Sequence, residues 1–213
     1  MQGVRRDRRV RTTIADEAAA RPADLVKRDS NATRPNELWV LDSTYVATLA
    51  GFVHVAFAID VFSRMIVGWR AARPMKTDLA LDALNMALWH RGRAGHDVTG
   101  LVHRDAGSRY TSIRYTDRLV EAGLQASIGT VGDSYDNALA ETVNGLYKAE
   151  LVSWDGPWRG ADDLELATLG WVDWFNHTRI HSSLNYATPA EVEAEYYRHN
   201  HAVEQPLPAE LTV

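Results

Sequence analysis

Residues 38–69 contain three strand-like segments with almost no chain between them, and no other feature limits the fold as much. Residues 38–49 are rich in Val, Thr, Tyr and Trp, and Ala50-Gly51 supplies a turn. Residues 52–62 are again strand-like, and residues 65–69 follow a short Ser63-Arg64 turn. Connections this short join antiparallel neighbours, so the segment predicts a three-stranded meander. The pattern then changes. In residues 76–91, Leu81, Leu84 and Leu88, widened by Leu79, Ala83 and Ala87, make one apolar helix face. Leu101-Val102-His103 is a short apolar run that stops at Asp105-Ala106-Gly107. A helix over 112–122 is closed by Gly123, and 124–128 reads as a fifth strand. After a loop at 129–135, helices are predicted over 137–151 and 162–176, and a last one opens at Thr188-Pro189 with Thr as its cap. This order implies an α/β domain: a five-stranded mixed sheet flanked by helices.

Three parts are expected along the chain: a basic arm or linker over 1–33, a core over 34–198, and a tail over 199–213. The arm opens with Arg5, Arg6, Arg8, Arg9 and Arg11 and has no sustained hydrophobic period. Of the chain's 23 Lys/Arg and 28 Asp/Glu, residues 1–34 hold nine and five, leaving fourteen and twenty-three for the rest. The ends therefore differ in sign: about +4 for the arm and −9 for the body. A nucleic-acid partner needs local basic clusters or carboxylates neutralised by cations on such a body, and charge alone fits a merely solvated acidic surface equally well. The absence of cysteine excludes disulfides, thiolate metal sites and a cysteine nucleophile. No apolar stretch approaches the roughly 18 to 20 residues of a membrane span. A cytoplasmic location is expected.

Among the carboxylates, Asp42 lies inside the run Trp39-Val-Leu-Asp-Ser-Thr-Tyr-Val46, where an uncompensated charge is costly. Asp105 ends the fourth strand, where a mixed sheet presents side chains to a crevice. Asn137, Glu141, Asn144 and Lys148 are spaced by four, three and four residues, which puts them on one helix face, while Leu139, Val143 and Leu146 form an apolar stripe that holds the helix to the core. Asp42, Asp105 and Glu141 suit an oxygen-ligand magnesium site for phosphoryl transfer, although a chain this acidic offers many such triples. Asp60, Ser134 and Asp136 read as turn and cap residues, and Trp154, Trp158, Trp171 and Trp174 as core or interface anchors.

Five strings resemble, in the same order, the integrase catalytic core of insertion-sequence transposases, a retroviral-integrase-like group of the DDE superfamily, here nearest the second-frame product of the IS-three type. They are the run around Asp42, Asp60-Val-Phe-Ser-Arg-Met-Ile-Val-Gly-Trp69, His103-Arg-Asp-Ala-Gly-Ser-Arg-Tyr-Thr-Ser112, Asp136-Asn-Ala-Leu-Ala-Glu141 and Asn176-His-Thr-Arg-Ile-His-Ser-Ser-Leu184. The 35 residues between Asp105 and Glu141 match the spacing of that superfamily. The resemblance implies a ribonuclease-H-like fold and two magnesium or manganese ions held by Asp42, Asp105 and Glu141. It further implies cleavage and joining of DNA at transposon ends within an oligomeric synaptic complex, associated with the nucleoid when on DNA. Lys148 is similar to a lysine that contacts the DNA end. Asn137, Asn144, Arg179, His181 and the arm residues Arg5, Arg6, Arg8 and Arg9 are the further candidates for DNA contact, with packing a competing role for Arg179 and His181.

The chain departs from the pattern in three places. Ser43 stands where an aliphatic residue is usual, and Arg104 and Arg109 stand where Ser and Gln are common. The helix-turn-helix region usual upstream is not found, which raises two expectations: a separate helix-turn-helix polypeptide as partner, or a truncated remnant that only binds DNA or a partner. A ribonuclease-H-like nuclease that hydrolyses without joining is the other alternative.

Overall fold

The computed structural model describes residues 31–73, 78–104, 113–128 and 138–204. Strands β1 (Leu38–Thr48), β2 (Gly51–Asp60) and β3 (Ile66–Ala72) form the expected antiparallel meander. Gly51 adopts φ 106°, a conformation that admits glycine without steric cost, and the Thr48 hydroxyl donates to its carbonyl at 2.6 Å. β4 (Leu101–Arg104) and β5 (Gln125–Ile128) then add in parallel to the other side of β1, giving the order β3-β2-β1-β4-β5. β1 is thus central, and its pairing with β4 runs only from Leu38 to Leu41.

Alternation along β1 divides the core. Val40 and Val46, with Val55, Phe57 and Ile59 of β2, face α3 (Ala138–Tyr147) and α5 (Ala161–His177), where Val143, Tyr147, Trp171 and Phe175 fill the layer. Trp39 and Leu41 point the other way, onto α1 (Asp78–Arg93) and α2 (Ile113–Glu121) through Leu84, Tyr115 and Leu119. Gly68 makes the α1 packing possible: a Cβ there would lie 2.2 Å from the Ala83 carbonyl oxygen and 2.7 Å from the Ala87 nitrogen.

The helix expected over 137–151 is divided. α3 ends at Tyr147, a π-helical turn spans Lys148–Val152, and one further turn, α4 (Ser153–Asp155), follows. Its buried stripe is Ala140, Val143 and Tyr147, with Leu139 and Leu146 only partly buried. The stripe shifts because the Tyr147 hydroxyl finds a buried partner, Thr168 Oγ1, at 2.7 Å, and because Ala140 permits close approach. Burial pushes the Tyr147 pKa up to about 12. The last helix, α6 (Pro189–Glu204), opens as the sequence requires: Thr188 Oγ1 accepts from the Glu191 backbone N–H, and Glu191 Oε2 accepts from that of Thr188.

Asp60 is a structural residue, as expected, and it is fully buried. Its carboxylate accepts from the backbone N–H of Asn36 at 2.6 Å and of Ser63 at 3.1 Å, and from Trp39 Nε1 at 3.2 Å. Trp158 and Trp171 are core anchors, whereas Trp154 is 84% exposed. No helix among the described residues is long and apolar enough to cross a membrane.

Candidate active site

Asp42 is the first β1 residue beyond the stretch paired with β4. It shares its face with Phe57, directly opposite on β2, and so points toward α3. The carboxylate is half-buried. Its Oδ1 accepts from the Ser43 backbone N–H at 2.7 Å, and its Oδ2 accepts from the Asn144 side-chain amide at 2.8 Å. An amide donating to a carboxylate is a charge-assisted bond, and here it fastens the polar stripe of α3 to the central strand.

Glu141 lies three residues before Asn144, on the same face of α3. It is exposed and makes no hydrogen bond or ion pair with another described residue. Lys148 continues the stripe at the first residue of the π turn, and its Nζ sits 5.3 Å from the centre of the Tyr45 ring. Asp42, Glu141, Asn144 and Lys148 are therefore gathered where β1 emerges from under β4. Among the described residues no group of three metal-ligating side chains converges. Asp105, Asn137, Arg5, Arg6, Arg8 and Arg9 lie outside the described residues.

Arg179 and His181 are placed differently. The Arg179 guanidinium donates to Glu150 Oε1 at 2.7 Å from the π turn and to His181 Nδ1 at 3.2 Å, and it lies over the Phe175 ring at 5.8 Å. His181 is buried edge-on against Phe175, and burial, reinforced by Arg179, holds its pKa below the usual histidine value. Both side chains are occupied in joining the segment after α5 to the π turn. Sequence reasoning missed this ion pair, and it missed Asn144 as the partner of Asp42. The second had a signal, since an Asn three residues after Glu141 faces the same way as the carboxylate. The first had none, because Glu150 is one acidic residue among many.

The Integrase core domain family matches residues 32–134 and, through a second profile of the same description, residues 122–189. The putative transposase for insertion sequence element IS986/IS6110 of Mycobacterium tuberculosis (strain ATCC 25618 / H37Rv) is 54% identical over 199 residues, which cover 92% of this chain and 72% of that protein. The transposase for IS629 of Shigella sonnei is 51% identical over 197 residues, 92% of this chain and 64% of that protein. Among solved structures, a chain of the simian T-cell lymphotropic virus intasome in complex with PP2A regulatory subunit B56 gamma superposes with a TM-score of 0.65 at 18% identity, covering 93% of this chain and 66% of that one. The HTLV-2 integrase catalytic core domain in complex with magnesium superposes with a TM-score of 0.57 at 16% identity, covering 76% and 99%. At such identities the structural likeness speaks for the fold alone, which is the ribonuclease-H-like fold of retroviral integrase cores. With a transposase 54% identical across nearly the whole chain and integrase-core matches from residue 32 to 189, the chain belongs to the integrase-core family of insertion-element transposases as a transposase/integrase catalytic domain.

Proposed function

We propose that Asp42, Asp105 and Glu141 form the reaction centre of a DDE-type polynucleotidyl transferase that cleaves and joins DNA at transposon ends. The observation that carries this reading is the 2.8 Å bond from Asn144 to Asp42, which brings the helix stripe bearing Glu141 onto the strand bearing Asp42. Asp105 follows Arg104 in the chain, and the Arg104 backbone pairs with Leu41, the residue just before Asp42. The donors fit a hard divalent cation. They are oxygens only, and Glu141 is engaged by no other described residue. Magnesium or manganese, two ions in this reading, would be held by the three carboxylates and would supply charge neutralisation at the phosphate and a more acidic attacking hydroxyl or water.

In the cleavage step a water oxygen attacks phosphorus and the 3′ oxygen leaves; in the joining step that freed 3′ hydroxyl attacks a target phosphodiester and displaces its 3′ oxygen. Asn144 keeps one Asp42 oxygen oriented throughout. Lys148 offers its ammonium to a phosphate of the bound end, Asn137 is a further candidate for DNA contact, and the arm arginines add affinity that does not depend on sequence. Asn144, Arg179 and His181 are read as positioning and packing residues because of the bonds they already make. The protein acts as an oligomer that pairs two ends on nucleoid DNA.

Glu141→Gln tests the reading. It retains size and helix propensity and removes one charge from the site, so nicking of labelled DNA in manganese buffer is expected to collapse while the melting temperature stays within a few degrees of wild type. Retained nicking by the folded variant overturns the assignment.

A further inference from the structure

We propose that Tyr45, Phe52 and Lys148 form a stacking platform for an unpaired nucleobase at the DNA end, where β1 runs past the carboxylate site toward its hairpin; this rests on the reading of the chain as a DNA strand transferase. Tyr45 and Phe52 are 58% and 61% exposed, and their rings meet edge to face at 5.5 Å across the β1–β2 hairpin. Two large aromatic rings left in water at one spot are unusual for an acidic surface and provide π faces without satisfying any interior. Lys148 holds its ammonium 5.3 Å from the Tyr45 ring centre and makes no ion pair with another described residue.

The position of this cluster selects the occupant. Tyr45 is three residues beyond Asp42 and so leaves the other face of β1, on the part of the strand that has already passed the end of β4, where the flank is open and Lys148 reaches the ring. Lys148 lies four residues beyond Asn144, which bonds Asp42, and so ties the rings to the same helix stripe as Glu141. The terminal pairs of a duplex have a stacking neighbour on one side only and open more readily than internal pairs, which exposes base faces that can stack on an aromatic ring. An aromatic ring accepts any base, and an ammonium above it attracts the adjoining phosphate. A protein partner would find complementary charge in Lys148 only through an acidic group, set against an already acidic neighbourhood. A nucleotide supplies both the π face and the negative charge.

The test uses the full chain in calcium buffer with two short duplexes, one fully paired and one carrying three unpaired nucleotides at its end, with 2-aminopurine in the terminal unpaired position. Wild type is expected to bind the unpaired end about tenfold more tightly than the paired end and to quench the 2-aminopurine. The Tyr45→Ala/Phe52→Ala double variant is expected to lose both preference and quenching while binding the paired end as before. Tyr45→Phe, which retains the ring, keeps them, and Lys148→Ala weakens both duplexes alike. Equal wild-type affinity for the two ends, or a preference that survives the double variant, overturns the platform and leaves the catalytic reading intact. A change of oligomeric state in the double variant with the preference unchanged assigns the rings to contact between copies and also overturns it. No binding of either duplex by wild type overturns the platform and the strand-transferase reading together.

Discussion

Asp42 shows how much one neighbour settles. A carboxylate on a strand can turn about two side-chain bonds, and losing that freedom during reaction costs rate; the Asn144 amide removes it beforehand by holding Oδ2 at 2.8 Å. Asn144→Ala is therefore expected to lower kcat for end cleavage by about ten- to a hundredfold while leaving KM for DNA and the melting temperature nearly unchanged. If Asn144 instead contacts DNA, KM rises and kcat holds, so steady-state kinetics on one substrate separate the two roles. At this scale the sequence made Asp42 and Glu141 visible as an isolated charge in an apolar strand and a polar stripe on a helix. It placed Asn144 on that face but did not show its bond to Asp42, because spacing reveals which way a side chain points and not what waits there.

The β-meander was legible because its turns are too short for any other connection. The division of the α3 helix was not, since a π turn over Lys148–Val152 keeps the apolar period almost intact. The docking of α6 was equally hidden. It depends on Glu193, which accepts from both terminal nitrogens of Arg91 on α1 and, at 2.6 Å, from the Ser63 hydroxyl, 130 residues away in sequence. Asp60 completes the buried cluster, 3.8 Å from the Arg91 guanidinium. Burial, with the nearby Glu193, pushes the Asp60 pKa up against the backbone N–H groups and Arg91 that favour its charged form. A carboxyl whose folded pKa is raised stabilises the fold fully below its unfolded value and loses that contribution as pH rises through the folded value. Arg91→Met removes the cation and raises the Asp60 carboxyl further, so it is expected to cost about 3 to 5 kcal/mol near neutral pH and progressively less toward pH 5. Urea unfolding at the two pH values checks this, and a cost independent of pH would assign Arg91 to packing alone.

For the molecule as a whole, charge is the open problem that any DNA-acting reading has to meet. The body carries about −9 and the first 34 residues about +4, so the body as a whole repels a polyanion except where carboxylates are neutralised or basic side chains cluster. The family and fold were legible because five short strings recur in order along one chain, each attached to a strand end or a helix face. An arm distinct from the core is an expectation from charge alone, since residues 1–30 lie outside the described structure. The arm arginines are assigned the sequence-independent share of DNA affinity. Changing Arg5, Arg6, Arg8, Arg9 and Arg11 to Ala is then expected to weaken binding of all duplexes alike and to flatten the dependence of log affinity on log salt by about 0.9 for each phosphate that the arm no longer neutralises. Core nicking at saturating DNA should persist, because Asp42, Asn144 and Glu141 are untouched. Fluorescence anisotropy between low and physiological salt measures the slope. An unchanged slope removes the arm from the interface and leaves DNA binding to the core.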